Sequence, residues 1–236
     1  IMSFISKIKL LKRCYFPTRS DLGTAGRNAK IEFPVFITKA VYVHMEENTV
    51  LRKQSLILND VNENVYIKKY TVIAPGCKIV TNNHRSTVGI PQVLLGASHI
   101  NDKSRDIVIN EDVWVGVNVT ILAGAELGRG CVIGACSLVN KPIPPYAVVV
   151  GTPAKIVGVK FSIDQIIKHE EILYPQEERL SRKYLEELFA TYYEGKTPFG
   201  VESEFTKDDV ARFNWAVEKR HFIHPKHGKI EIKATK

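Results

Sequence analysis

A six-residue period constrains the fold of this chain more than any other feature. Stepping by six from Ile109 meets Val115, Ile121, Leu127, Ile133 and Val139, all branched aliphatics. The residue four places after each of the first five is small or modest: Val113, Val119, Ala125, Cys131 and Ser137. Glycine follows the aliphatic in Val115-Gly116, Leu127-Gly128 and Ile133-Gly134. The same step links Ile67, Ile73 and Ile79, then Leu51 and Ile57, then Ile31, Ile37 and Val43, with slips of frame between the groups. A helix needs a period of 3.6 and a strand a period of 2, so neither explains the pattern. A period of six puts one large aliphatic on each flat face of a turning chain. Three hexads then close one triangular coil, and coils stack at the strand spacing of about 4.8 Å. The small residue fits the tight corner, where Gly supplies turn geometries that other residues resist. The expected fold class is all-β with an α appendage: a parallel β-helix followed by a C-terminal helical extension.

This predicts an N-terminal segment over 1–30, a β-helix over 31–160 and a helical extension over 161–236. One excursion interrupts the coils over 81–106. It holds Asn82-Asn83-His84-Arg85-Ser86, Gly89, Pro91, Gly96 and His99, and long ordered excursions usually carry function. In the extension, Ser162-Ile163-Asp164-Gln165 reads as a capping box. A second helix is expected from near Pro175, with Leu180, Tyr184, Leu185, Leu188, Phe189 and Tyr192 on one face and Gly195 as its stop. Thr206-Lys207-Asp208-Asp209 opens a third, with Val210, Phe213 and Val217 on one face. The extension is expected to pack over the open end of the β-helix.

Composition narrows the partners. Apolar residues make up 44% and charged residues 25% of the chain, which is ordinary for a globular protein with a sizeable core. No run reaches 18 apolar residues, so no integral membrane segment is expected. The first residues do not read as a secretory signal. The net charge of +8 is diffuse, with clusters only at Lys7–Arg13 and Lys219–Lys236, so no nucleic-acid partner is expected. Four cysteines without a CxxC pair suggest reduced thiols and a cytoplasmic location.

Three segments carry a family resemblance. The first runs from Ile73-Ala74-Pro75-Gly76 to Thr81-Asn82-Asn83-His84. The second is Asp112-Val113-Trp114-Val115-Gly116-Val117-Asn118-Val119. The third is Ile133-Gly134-Ala135-Cys136-Ser137-Leu138-Val139-Asn140-Lys141, continued by Val150-Gly151-Thr152-Pro153-Ala154-Lys155. Over roughly residues 31–160 the chain resembles the hexapeptide-repeat acetyltransferases, in the subgroup of galactoside, xenobiotic and capsular-polysaccharide O-acetyltransferases. The resemblance implies a left-handed parallel β-helix. It also implies acetyl-CoA as co-substrate and a homotrimer with active sites between subunits.

By the same resemblance His84 is the general base, and the chemistry agrees: acetyl transfer to a hydroxyl needs its proton removed, and a neutral imidazole near pH 7 suits that. His99 and His44 are rivals that do not match the family position. The three histidines lack the regular-coil spacing of the β-helical carbonic anhydrases, so no metal is expected. Trp114 and Gly116 belong to the segment beside the thioester, where Trp114 supplies an indole wall and the backbone N–H of Val117 faces the developing oxyanion. Ala135, Asn140, Lys141 and Lys155 inherit contacts to the pantetheine arm and CoA phosphates. Asn140 stands where Thr is frequent. Gly158 stands where some relatives carry a basic residue, which shifts phosphate binding towards Lys141, Lys155 and Lys160. Asn82, Asn83 and Asn62 are the acceptor-binding candidates, Asn62 standing near a family carboxylate.

The implied function is O-acetylation of a carbohydrate in surface-polysaccharide biosynthesis. An antibiotic O-acetyltransferase of chloramphenicol or streptogramin type is the alternative. A non-catalytic β-helical binding protein is a third reading; it would need neither the histidine at the coil exit nor the CoA-like terminal segment.

Overall fold

The computed structural model describes residues 8, 11, 12 and 14–235. Short strands stack into three parallel faces. Face A contains β1 (Thr24–Ala25), β4 (Val43–Met45), β7 (Val65–Ile67), β10 (Ile107–Ile109) and β13 (Glu126–Leu127). Face B contains β2 (Lys30–Ile31), β5 (Val50–Leu51), β8 (Val72–Ile73), β11 (Trp114–Val115), β14 (Val132–Ile133) and β16 (Ala147–Val150), closed by β17 (Lys155–Val159), which runs antiparallel to β16. Face C contains β3 (Phe36–Ile37), β6 (Leu56–Leu58), β9 (Lys78–Val80), β12 (Thr120–Leu122) and β15 (Leu138–Val139). The chain visits A, B and C in turn, which makes five coils of a parallel β-helix.

The register explains the period. Ile67 pairs with Ile109 on face A, Ile73 with Val115 on face B, and Ile79 with Ile121 on face C. Met45, Leu51, Ile57, Ile67, Ile73, Ile79, Ile109, Val115, Ile121, Leu127, Ile133 and Val139 are all at most 1% exposed. They form a continuous apolar column, and full burial of such a side chain is worth about 1.5–3 kcal/mol. The small-residue positions Cys77 and Cys131 are buried. Burial pushes the Cys77 thiol up to about 11, so it stays protonated and packs as a small apolar group.

At the A–B corner Asn48, Tyr70, Asp112 and Gly130 have φ of 57°, 64°, 54° and 69°, a region that Asn, Asp and Gly enter most easily.

The frame slips have one location. Met45, rather than Val43, pairs with Ile67. The chain therefore carries two residues beyond the hexad between Ile37 and Met45, four between Ile57 and Ile67, and twenty-four between Ile79 and Ile109. All three insertions lie at the C–A corner. Strand β1 already pairs with β4, so the first coil opens before Ile31. Its face-A position is Ala25, too small to stand out in an aliphatic count.

The helices are α1 (Gln92–Ser98) in the excursion, then α2 (Ile163–Leu173), α3 (Arg182–Tyr192) and α4 (Lys207–Arg220). The capping boxes at Ser162/Gln165 and Thr206/Asp209 are formed. The second helix of the extension starts later than Pro175. After a short 3-10 turn, Arg179 is extended and the Leu180 N–H donates to Glu170, so Ser181 becomes the N-cap.

The extension does more than cover one end. It follows the A–B corner back along the prism. Arg129 and Tyr146 bond Glu170, and Lys160 and His169 bond Asp112. Phe222 stacks on Tyr70, Ile223 exchanges two hydrogen bonds with Asn48, and Lys30 donates to the Arg220 carbonyl. The B–C and C–A corners carry none of these contacts.

Candidate active site

The excursion leaves the C–A corner and returns to it. Both roots are anchored. Thr81 donates to the buried carboxylate of Glu63, and the Asn64 N–H donates to Asp106 at 2.8 Å. Between these anchors the two arms run side by side. The Arg105 N–H donates to the Thr81 carbonyl and the Lys103 N–H to the Asn83 carbonyl, both at 3.1 Å. One step further along this ladder, His84 faces Asp102.

His84 Nδ1 lies 3.1 Å from each Asp102 carboxylate oxygen. His99 Nδ1 lies 2.9 Å from Oδ2 of the same group. Desolvation acts to raise the Asp102 carboxyl, but hydrogen bonds from His99 and then His84 outweigh it and hold the group below the usual carboxylate range. An ionised carboxylate only accepts, so each Nδ1 carries its proton. The lone pair of His84 is thereby left on Nε2, which has no hydrogen-bond partner among the described residues. The His84 side chain is 35% exposed, so solvent and ligands reach it. His44 is elsewhere, on the outer side of face A, bonded to Thr24 and Asn64 and stacked on Tyr66.

A second group of residues follows the B–C corner. Trp114 points outward from face B and is 48% exposed; Val117, at the corner, is 45% exposed. Gly116 is required by a close approach: a Cβ there would lie 2.7 Å from the Ala135 nitrogen and 2.8 Å from the Ile133 carbonyl oxygen. The Val117 carbonyl accepts from the Cys136 N–H at 2.8 Å. The Val117 and Ala135 N–H groups, stacked on consecutive coils, have no acceptor among the described residues. Above them the turn after β16 folds over the corner. There the Gly151 N–H donates to Ser137 Oγ, and Lys155 is exposed at the start of β17.

The candidate residues thus form two columns. Asn62, Asn82, Asn83, His84, Asn140 and Lys141 belong to the C–A corner. Gly116, Val117, Ala135 and Lys155 belong to the B–C corner, with Trp114 beside them on face B. Face C separates the two columns, so one chain does not bring them together. Asn62 has a φ of 65° and serves the corner turn. Lys160 points the other way, into an ion pair of 2.6 Å with Asp112. A side chain at Gly158 would meet the exposed Phe199 ring, which would have to move to admit it. The sequence reading missed Asp102. The spacing His99-x-x-Asp102 was its only local sign, because the contact with His84 depends on how the two arms pair.

Comparison with known proteins agrees with this architecture. Residues 106–141 match the family model described as bacterial transferase hexapeptide (six repeats). A galactoside O-acetyltransferase of Escherichia coli K12 is 32% identical over 57% of this chain and 62% of its own length. A chloramphenicol acetyltransferase of Klebsiella aerogenes is 42% identical over 27% of this chain and 30% of its own. The chain spans less than two thirds of the length of these curated relatives. A hexapeptide-repeat acetyltransferase of Vibrio cholerae, solved by crystallography, superposes with a TM-score of 0.55 at 25% identity, covering 61% of this chain and 77% of that one. The chain is a homologue of the hexapeptide-repeat acetyltransferases and has their left-handed parallel β-helix.

Proposed function

We propose that this protein transfers the acetyl group of acetyl-CoA to a carbohydrate hydroxyl, in the synthesis of a surface polysaccharide. The observation that carries this reading is His84, whose Nδ1 is held by Asp102 while Nε2 stays open. Nε2 takes the hydroxyl proton as the acceptor oxygen attacks the thioester carbonyl. The resulting oxyanion meets the Val117 N–H, a donor fixed before the reaction. Collapse breaks the carbon–sulfur bond, and the CoA sulfur leaves with the proton from Nε2.

The acetyl-CoA groove fits the B–C column. Trp114 and Val117 offer exposed apolar surface, Ala135 a second unpaired N–H, and Lys155 a cation for phosphate. In this reading Lys141 serves the same end from the neighbouring corner. Because the columns stand on different corners, His84 of one copy works with the Val117 corner of another. We therefore propose a homotrimer, with Asn82 and Asn83 beside the acceptor. No helix among the described residues is long and apolar enough to cross a membrane. We propose a cytoplasmic location on the ground that the reaction draws on acetyl-CoA.

An antibiotic acceptor is the second reading, favoured by the chloramphenicol acetyltransferase relative. Thiol release from acetyl-CoA tests both, with hexoses, aminosugars, sialic acid, oligosaccharides and chloramphenicol as acceptors. Release that depends on a glycan and disappears in His84→Ala supports the proposal. Release only with chloramphenicol moves the acceptor to the antibiotic class. No release combined with no CoA binding overturns the transferase reading in favour of a binding protein.

A further inference from the structure

We propose that His84, His99 and Asp102 form a binding site for a borderline divalent transition cation of the Zn²⁺ class, and that occupancy switches the general base off. One ligand atom of each residue lies within 4.8 Å of the other two. The shorter edges are the 3.1 Å and 2.9 Å separations between each Nδ1 and the Asp102 oxygens. Zn²⁺ binds imidazole nitrogen at about 2.0–2.1 Å and carboxylate oxygen at about 2.0–2.2 Å. A tetrahedral ion with such bonds keeps its ligand atoms about 3.3 Å apart, so these edges need to open by only a few tenths of an ångström. The two rings are not stacked against each other: their centroids are 5.4 Å apart and their planes differ by 55°. Both nitrogen edges can therefore address one ion. The site is open enough for entry, with His99 51% and His84 35% exposed. Two imidazoles and one carboxylate select Zn²⁺ or Co²⁺ over Mg²⁺ and Ca²⁺, which demand oxygen ligands. Water completes the coordination.

The consequence for catalysis follows from proton bookkeeping, and it rests on the role proposed above for His84. A neutral imidazole has one proton and one basic lone pair. With Asp102 as the partner of Nδ1, the proton is on Nδ1 and the lone pair on Nε2. A cation bound at Nδ1 takes the lone pair there, and the proton moves to Nε2. The nitrogen that would accept the acceptor's proton is then already protonated. No proton is released overall, and removal of the cation restores the base.

The test has two arms, both on the full 236-residue chain. Calorimetric titration with Zn²⁺, supported by the visible absorption of bound Co²⁺, measures binding without acetyl-CoA or acceptor. The expected result is one ion per chain, no comparable binding of Mg²⁺, and a loss of affinity of at least about tenfold in His99→Asn. Asn suits this position because His99 has a φ of 54°, which Asn tolerates. The second arm measures acetyl transfer. Zn²⁺ inhibits the wild type at the concentrations that fill the site, and a chelator restores the rate. His99→Asn, compared with its own metal-free rate, needs at least about tenfold more Zn²⁺ for the same fractional inhibition. Absence of stoichiometric binding overturns the proposal, and so does binding that His99→Asn leaves unchanged. Zn²⁺ binding with an unaltered transfer rate overturns the switch. Should no acceptor support transfer, the calorimetric arm still decides whether the site exists.

Discussion

His84 and Asp102 meet across the two arms of the excursion, with Nδ1 3.1 Å from both carboxylate oxygens. The pairing fixes the tautomer and aims the ring, so Asp102 acts through His84 and touches no reacting atom. Asp102→Asn is expected to lower kcat by at least about tenfold and to leave the KM for acetyl-CoA unchanged. His84→Ala loses about 10²–10⁴. Steady-state kinetics with unchanged circular dichroism checks both.

The corner at Val117 offers a direct test of a backbone donor. Pro75 occupies the equivalent place one coil earlier, where the Asn118 N–H donates to its carbonyl. This corner therefore accepts proline. Val117→Pro removes the N–H and should cost about 10²–10³ in kcat, while Val117→Ala keeps it and should stay near the wild-type rate. Equal rates in the two variants would take the oxyanion role away from Val117.

Gly116 sits where two coils touch. The Cβ of Gly116→Ala would press on backbone atoms of Ile133 and Ala135, and backbone cannot swing away as a side chain can. A stability loss of roughly 1–3 kcal/mol is expected, together with weaker CoA binding. Denaturant unfolding and a CoA titration read the two effects.

Asp112 ties the A–B corner to the extension and gives an acid-side prediction. Burial acts to raise its carboxyl, but the hydrogen bond from His169 and the charge of Lys160 outweigh it and hold the group below its ordinary value. A carboxyl depressed in the folded state stabilises above its unfolded value of about 3.9 and loses that contribution as pH falls towards the folded value. Asp112→Asn should therefore be less stable than wild type by roughly 1–3 kcal/mol near neutrality. The gap should close below about pH 4. Thermal melts across that range measure it.

Glu170 is 1% exposed and accepts from the Tyr146 hydroxyl, Arg129 and the Leu180 N–H. Glu170→Ala leaves Arg129 with Glu111 and the Glu178 carbonyl, but it removes the acceptor of the Tyr146 hydroxyl and of the Leu180 N–H. A loss of roughly 1–3 kcal/mol is expected, the cost of leaving buried donors unsatisfied. Limited proteolysis should then cut the extension before the coils.

The coils were legible because their order is local: one aliphatic every six residues suffices, and the aliphatics from Leu51 onward sit where the period put them. The excursion was visible as a gap in that period, and His84 as the residue at its exit. Asp102 was hidden because its partner is fixed by the pairing of 81 with 105 and 83 with 103, which no periodicity records. The course of the extension was equally hidden. It depends on contacts such as Lys30 with Arg220 and Asn48 with Ile223, between residues at opposite ends of the chain. The late start of α3 depends on Glu170 of α2 capturing the Leu180 N–H in the connector before α3, again a contact that no local pattern records.

The concentration of every insertion at the C–A corner divides the molecule into two parts that can vary independently. Length added at a corner leaves the flanking faces in phase, so the twelve core side chains do not register whether two, four or twenty-four residues intervene. The arm bearing His84 can be shortened, lengthened or exchanged as a cassette, while the stacked prism beneath it, with its Trp114 and Val117 corner, remains a constant chassis.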